Sequence, residues 1–168
     1  MSRYAKIMDN DVVDGEGVCV SFWVQGCSLH CEGCHNPSTW NFHEGQLYTP
    51  HTKWKIIEAI SANGIQRNFS VLGGEPLAPE NINMTLEVID AVRHAYPNIT
   101  IYLWTGYEFD DLIRRAATTE AMQHILIDID VLIDGPFIES QKDLTLKLRG
   151  STNQHIRIKK EGEWIIDE

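Results

Sequence analysis

Three cysteines, Cys27, Cys31 and Cys34, share the short string CSLHCEGC, in the pattern C-x3-C-x2-C. On so tight a loop three thiolates reach one metal centre. A closed structural zinc site takes four protein ligands, so zinc has to recruit His30, His35 or Cys19 to finish a tetrahedron. An iron-sulfur cluster held by three thiolates instead leaves one iron open to another ligand, and an open iron is reactive. The spacing by itself leaves both open. A second string, Gly73-Gly74-Glu75, pairs two residues that allow close backbone approach with a carboxylate able to accept a charge-assisted hydrogen bond from an ammonium group.

The elements that position these strings follow from periodicity. Val18 to Val24 is a β-branched and aromatic run that leads into Gly26-Cys27, so the cysteines begin where a strand ends. Thr49-Pro50 opens a helix with Trp54, Ile57 and Ile60 on its apolar steps and Asn63-Gly64 as its stop. Phe69 to Leu72 is a short strand ending at the paired glycines. Met84, Leu86, Val88, Ile89 and Val92 mark a second helix, closed by Pro97. Ile99 to Trp104 is a strand followed by the loop Thr105-Gly106-Tyr107, and residues 108–116 form a third helix with Phe109, Leu112 and Ile113 on one face. Ile125 to Ile133 reads as the next strand, ending at Asp134-Gly135-Pro136, and residues 155–166 form a hairpin around Glu161-Gly162.

Strands separated by single helices imply a parallel sheet, and such sheets bind ligands beyond the carboxyl ends of their strands. The segments Cys27–Cys34, Gly73–Pro76, Thr105–Tyr107 and Asp134–Pro136 all fall on that rim, so four stretches of chain converge on one site. The 168 residues make a single domain. That is short of the roughly 250 residues of a full eight-fold barrel, so an α/β incomplete, TIM-like barrel of parallel strands with outer helices is expected. A net charge of -10 argues against nucleic acid and anionic membrane surfaces as partners. The first seventeen residues have no secretory signal pattern, and four cysteines within a short stretch suit a reducing compartment, which points to the cytoplasm.

CSLHCEGC resembles the CxxxCxxC signature of the radical S-adenosylmethionine enzymes, and Gly73-Gly74-Glu75 resembles the GGE motif of that superfamily. Cys34-His35-Asn36-Pro37-Ser38-Thr39-Trp40 is similar to the matching run of glycyl-radical-enzyme activases. The strings WTGY (104–107), VLIDGPF (131–137) and LRGSTNQ (148–154) resemble the small activating component of the anaerobic ribonucleoside-triphosphate reductase. The likeness runs from Asp14 to Gln154. It implies that Cys27, Cys31 and Cys34 hold a [4Fe-4S] cluster whose free iron chelates S-adenosylmethionine, and that reductive cleavage gives a 5′-deoxyadenosyl radical.

The implied partners are the catalytic subunit of that reductase, through its C-terminal glycyl radical loop, and an electron donor such as flavodoxin or ferredoxin. Gly33, Cys34, His35, Gly73, Gly74, Glu75, Asp134 and Arg149 are the implied cofactor contacts. Gly33 stands where many members carry an aromatic residue, and His155 stands where relatives often carry Arg. Glu75 is weighed as an acceptor for the methionyl ammonium against a solvated acid. Asp134 is a ribose ligand or a plain turn residue. Arg149 holds S-adenosylmethionine or the partner's loop. His30 and His35 are expected to pack beside the thiolates, Trp40 and Trp104 to line core or pocket, and Cys19 to be buried in its strand. The alternatives are an activase of another glycyl radical enzyme, such as pyruvate formate-lyase, and a non-catalytic zinc or cluster binding module.

Overall fold

The computed structural model describes residues 1–168 and contains one eight-stranded mixed sheet with four α-helices. In chain order the elements are β1 (Arg3–Asp11), β2 (Cys19–Gln25), β3 (Gln46–Leu47), α1 (Pro50–Ile60), β4 (Asn68–Gly73), α2 (Ile82–Ala95), β5 (Ile101–Trp104), α3 (Phe109–Ala116), α4 (Glu120–Asp128), β6 (Val131–Asp134), β7 (His155–Lys160) and β8 (Glu163–Ile166). The strand order is β3-β1-β2-β4-β5-β6-β7-β8. The expected parallel core is present as β2, β4, β5 and β6. Antiparallel strands extend it on both sides, and the sheet is open, with β3 and β8 at its ends.

Side chains alternate across the sheet, and the two faces have different neighbours. Val20, Phe22 and Val24 of β2, Phe69 and Val71 of β4, and Ile101 and Leu103 of β5 point toward the helices and form the main core with residues such as Ile56, Val88 and Ile125. The opposite face carries Ser21 and Trp23 of β2, Leu72 of β4, Trp104 of β5 and a smaller cluster around Cys19, Tyr102 and Ile133. Loops cover that face instead of helices, and this is where the candidate site opens. No helix is long and apolar enough to cross a membrane.

Local signals explain most boundaries. Thr49 precedes Pro50 at the start of α1, and its backbone N–H donates to Thr52 Oγ1 at 3.1 Å. The apolar steps of α1 differ from the expected ones, because Thr52, Ile56 and Ile60 are buried at four-residue intervals while Trp54 is 56% exposed. The hairpin turn at Glu161-Gly162 has both residues at positive φ, as the type I′ geometry requires. The strand expected over Ile125–Ile133 is a helix followed by a short strand. Met122, Ile125, Leu126 and Ile129 are buried at i, i+3, i+4 and i+7, a helical spacing, and only Val131–Asp134 pairs in the sheet. β1 and β3 had no counterpart in the sequence reading.

Candidate functional site

The cysteine loop is pinned at its two ends. Gly26 N donates to Thr39 O at 2.7 Å and Cys27 N to Trp40 O at 3.0 Å, while the Gln25 side-chain amide donates to Ser38 O at 3.0 Å and Asn41 O at 2.9 Å. Inside the loop, Cys34 N donates to Cys31 O at 3.1 Å and Asn36 N donates to Cys34 Sγ at 3.3 Å. Both histidines of this stretch pack against aromatic rings. His30 stacks on Trp40 with ring centroids 4.4 Å apart, and His35 meets Phe137 edge-on at 5.1 Å.

The paired glycines bring the end of β4 against the end of β2. Gly74 N donates to Val24 O at 2.9 Å and Glu75 N to Gly26 O at 2.9 Å. Gly73 lies at φ +104, and a Cβ on Gly74 would stand 2.5 Å from Gly26 O, so the backbones fit only without side chains. Asn81, buried, locks the junction by donating to Gln25 O, Gly26 O and Glu75 O at 3.1–3.2 Å. Gly74→Ala is therefore expected to destabilise the protein by about 1–3 kcal/mol through overpacking. Urea unfolding measures this, and an unchanged midpoint would contradict the close approach.

Cys27, Cys31, Cys34, Gly73, Gly74 and Glu75 line a single cavity of about 150 Å³, closed by Trp40, Trp104, Gly106, Phe137 and Gln154. A second cavity of about 420 Å³ shares Cys34, Asn36, Leu72, Trp104, Phe137 and Gln154 with the first and adds Asp14, Trp23, His35 and Arg149. The four rim segments expected from the strand ends all contribute to the first cavity.

Four of the expected contacts either have partners within the chain or lie off the two cavities. Glu75 is 2% exposed, so it is no solvated acid. Its Oε1 accepts from Leu77 N at 2.9 Å and Thr105 Oγ1 at 2.7 Å, and its Oε2 from Gly106 N at 2.7 Å. Burial pushes this carboxyl up, while these donors and the Arg115 guanidinium pull it back. Asp134 lies outside both cysteine cavities, because its oxygens accept from Arg157 Nε at 2.8 Å and Phe109 N at 3.0 Å, tying β6 to β7 and α3. Arg149 lines the second cavity, but its guanidinium donates to Gln154 O at 2.9 Å and pairs with Glu168 at 3.3 Å. Glu168 also pairs with His155, at 2.7 Å. Gly33 lines neither cavity; the Glu139 carboxylate occupies the place a Cβ would take. The sequence analysis names Thr105 only as part of its rim loop and does not name Gln25 or Asn81; Gln25 is a polar residue at the end of an apolar run, and Asn81 a polar residue just ahead of α2.

The donor set can be tested against the two kinds of metal centre. All four cysteines are free, and three of them open on the cavity. No three His, Cys, Asp or Glu side chains come together closely enough to hold a single ion. No fourth ligand of the kind zinc takes is gathered with the three thiols: His30 and His35 lie against aromatic rings, and Cys19 is buried in β2 with its Sγ 3.6 Å from Glu16 O. Three soft thiolates round a cavity with glycine walls fit an iron-sulfur cluster. Burial, with the Glu75 and Cys31 charges, pushes the Cys27 thiol up against the pull of the Leu29 and His30 amides, so its proton must leave on ligation.

Comparison with known proteins gives the same answer. The sequence model of the 4Fe-4S single cluster domain matches residues 13–157. A protein of Vibrio cholerae is 40% identical over 155 residues, 92% of this chain and 96% of its own length, and is named anaerobic ribonucleoside-triphosphate reductase-activating protein. The chain belongs to this reductase-activating family. The Escherichia coli K12 member of the same name is 38% identical over 160 residues, covering 92% of this chain and 99% of its own. The member from Enterobacteria phage T4 is 37% identical over 167 residues, 98% of this chain and 99% of its own. Membership in the activating family agrees with the cysteine, Gly-Gly-Glu and CHNPSTW strings.

Proposed function

We propose that this protein uses S-adenosylmethionine, and a [4Fe-4S] cluster held by Cys27, Cys31 and Cys34, to install a glycyl radical on an anaerobic ribonucleoside-triphosphate reductase. The observation that carries this reading is the convergence of three unpaired thiols and the Gly73-Gly74-Glu75 turn on one cavity. When bound and reduced, such a cluster supplies the electron that splits S-adenosylmethionine into methionine and a 5′-deoxyadenosyl radical able to take hydrogen from a glycine Cα.

The chain's own residues bind, orient and exclude water. The pinned ends of the cysteine loop fix the three thiolates, and the second cavity falls within the roughly 300–1,000 Å³ range of small-molecule sites. Glu75 works by positioning: Leu77 N closes its own loop on it, and Thr105 Oγ1 and Gly106 N fasten the loop after β4 to the loop after β5. The parallel core serves as the wall of an incomplete barrel whose open side admits a peptide loop of the reductase, bringing its glycine to about 3–3.5 Å from the reacting carbon. A flavodoxin or ferredoxin in the cytoplasm supplies the electron.

The test is electron paramagnetic resonance of the reductase after anaerobic incubation with the reconstituted protein, S-adenosylmethionine and a strong reductant. A glycyl radical on the reductase, with 5′-deoxyadenosine formed alongside, is expected. Radical formation on pyruvate formate-lyase but not on the reductase would refute the assigned partner.

A further inference from the structure

Two loops border the second cavity, residues 12–18 between β1 and β2 and residues 142–150 ahead of β7; Val13 of the first and Leu144 of the second belong to its wall. An ion pair between Glu16 and Lys147 joins them. Each loop is fastened to what lies beneath it. Ser70 Oγ of β4 donates to Asp14 O, and Glu16 N donates to the Tyr102 hydroxyl of β5 at 3.1 Å. Asp143 N donates to Gly150 O at 3.1 Å, Leu146 N to Asp143 O at 3.3 Å, and Trp104 Nε1 to Leu148 O at 2.8 Å. Asp143 Oδ1 also accepts from Thr145 N at 2.9 Å and Thr145 Oγ1 at 2.6 Å, which fixes the turn that carries Leu144.

These fastened loops hold apolar side chains out into water. Leu144 is 82% exposed, Val13 75% and Val12 69%, and among the large hydrophobic side chains only Met1 and Ile127 are as bare. A single exposed apolar residue is ordinary, but here three stand at or beside the mouth of one cavity. The apolar surface continues inward over Trp23, Leu146, Trp104 and Phe137 to Cys34, where the two cavities meet. Charge at the mouth is largely matched within the chain: Glu16 by Lys147, Arg149 by Glu168, and Asp143 by its Thr145 donors. A strongly charged partner finds little to pair with there, whereas an apolar segment releases water from both surfaces.

We propose, resting on the reductase-activating reading above, that Val12, Val13 and Leu144 form an apolar lip that grips the reductase segment entering the second cavity, and that this segment carries uncharged, apolar side chains beside its reactive glycine. An extended chain advances at most about 3.6 Å per residue, so a glycine delivered toward the cysteine end leaves its immediate sequence neighbours at the mouth. The lip therefore recognises those neighbours and not the glycine itself.

Binding to immobilised reductase tests the lip apart from the radical chemistry, measured on the full chain both cluster-free and reconstituted with S-adenosylmethionine. Val12→Asp and Leu144→Asp should each weaken binding about tenfold or more, because a charge pressed into an apolar contact is desolvated without a partner. Ile127→Asp alters an equally exposed apolar residue on α4 and should bind as the wild type does, while Leu144→Met should keep wild-type affinity. The substituted side chains are exposed, so an unchanged urea midpoint is expected, and since Val12 and Leu144 lie on separate loops either aspartate variant decides alone if the other does not fold. Wild-type binding by the aspartate variants, an equal loss in Ile127→Asp, or no binding by the wild type itself overturns the proposal. So does a lip that serves a second copy of this chain, seen in sedimentation as a dimer that the aspartates dissolve while reductase binding stays unchanged. Lip-dependent binding without any glycyl radical would instead refute the radical reading and leave the lip in place.

Discussion

Cys31→Ala is expected to lose iron, inorganic sulfide and cleavage of S-adenosylmethionine to background while keeping the unfolding midpoint of the cluster-free wild type. The Cys31 thiol lines the cavity and its side chain makes no hydrogen bond within the chain; the local turn depends on its carbonyl, which accepts from Cys34 N. Removing the sulfur therefore subtracts a ligand and little else. The main core lies on the opposite side of the sheet and does not include the cysteine loop. Cys19→Ala is the matched control. That sulfur is wholly buried on β2, so the variant should be less stable yet retain iron and turnover. Iron and sulfide analysis, product chromatography and urea unfolding check both variants. A Cys31→Ala protein with full iron content and turnover would remove the three-thiolate centre from consideration.

Glu75→Ala should lower unfolding stability by about 3–5 kcal/mol, the range for breaking a buried charged network from one side. The loss leaves the Leu77 and Gly106 amides and the Thr105 hydroxyl without their acceptor. Glu75→Gln retains one carbonyl oxygen but turns an amide donor toward N–H groups, so about 1–3 kcal/mol is expected. Urea unfolding in the absence of S-adenosylmethionine separates this role from ligand binding. Should Glu75→Ala keep full stability and lose only cofactor affinity, the carboxylate's task would be the methionyl ammonium after all.

The strand ends, the loops that follow them and their convergence on one cavity were legible because each signal is local. A β-branched run, a paired glycine or a proline acts within a few residues of itself, and β2, β4, α2 and the terminal hairpin follow such signals. α4 reads as a strand from sequence because Ile125, Leu126 and Ile127 look like one in isolation, whereas Met122 and Ile129 complete a helical stripe only over a longer window. β1 is not legible from sequence because most of its residues are exposed or only partly buried and polar side chains break its pattern. Side-chain partnerships were the least legible. The donors to the Glu75 and Asp134 carboxylates from outside their own turns come from 23 to 31 residues away, a distance over which sequence pattern says nothing of pairing.

The shared anion of Glu75 also limits how such a protein can drift. A lineage that loses the acid inherits orphaned amides in two separate segments, and no single substitution repairs both. Divergence at position 75 should come in step with change at 105, whereas the exposed turn at 161–162 answers only to its own backbone angles.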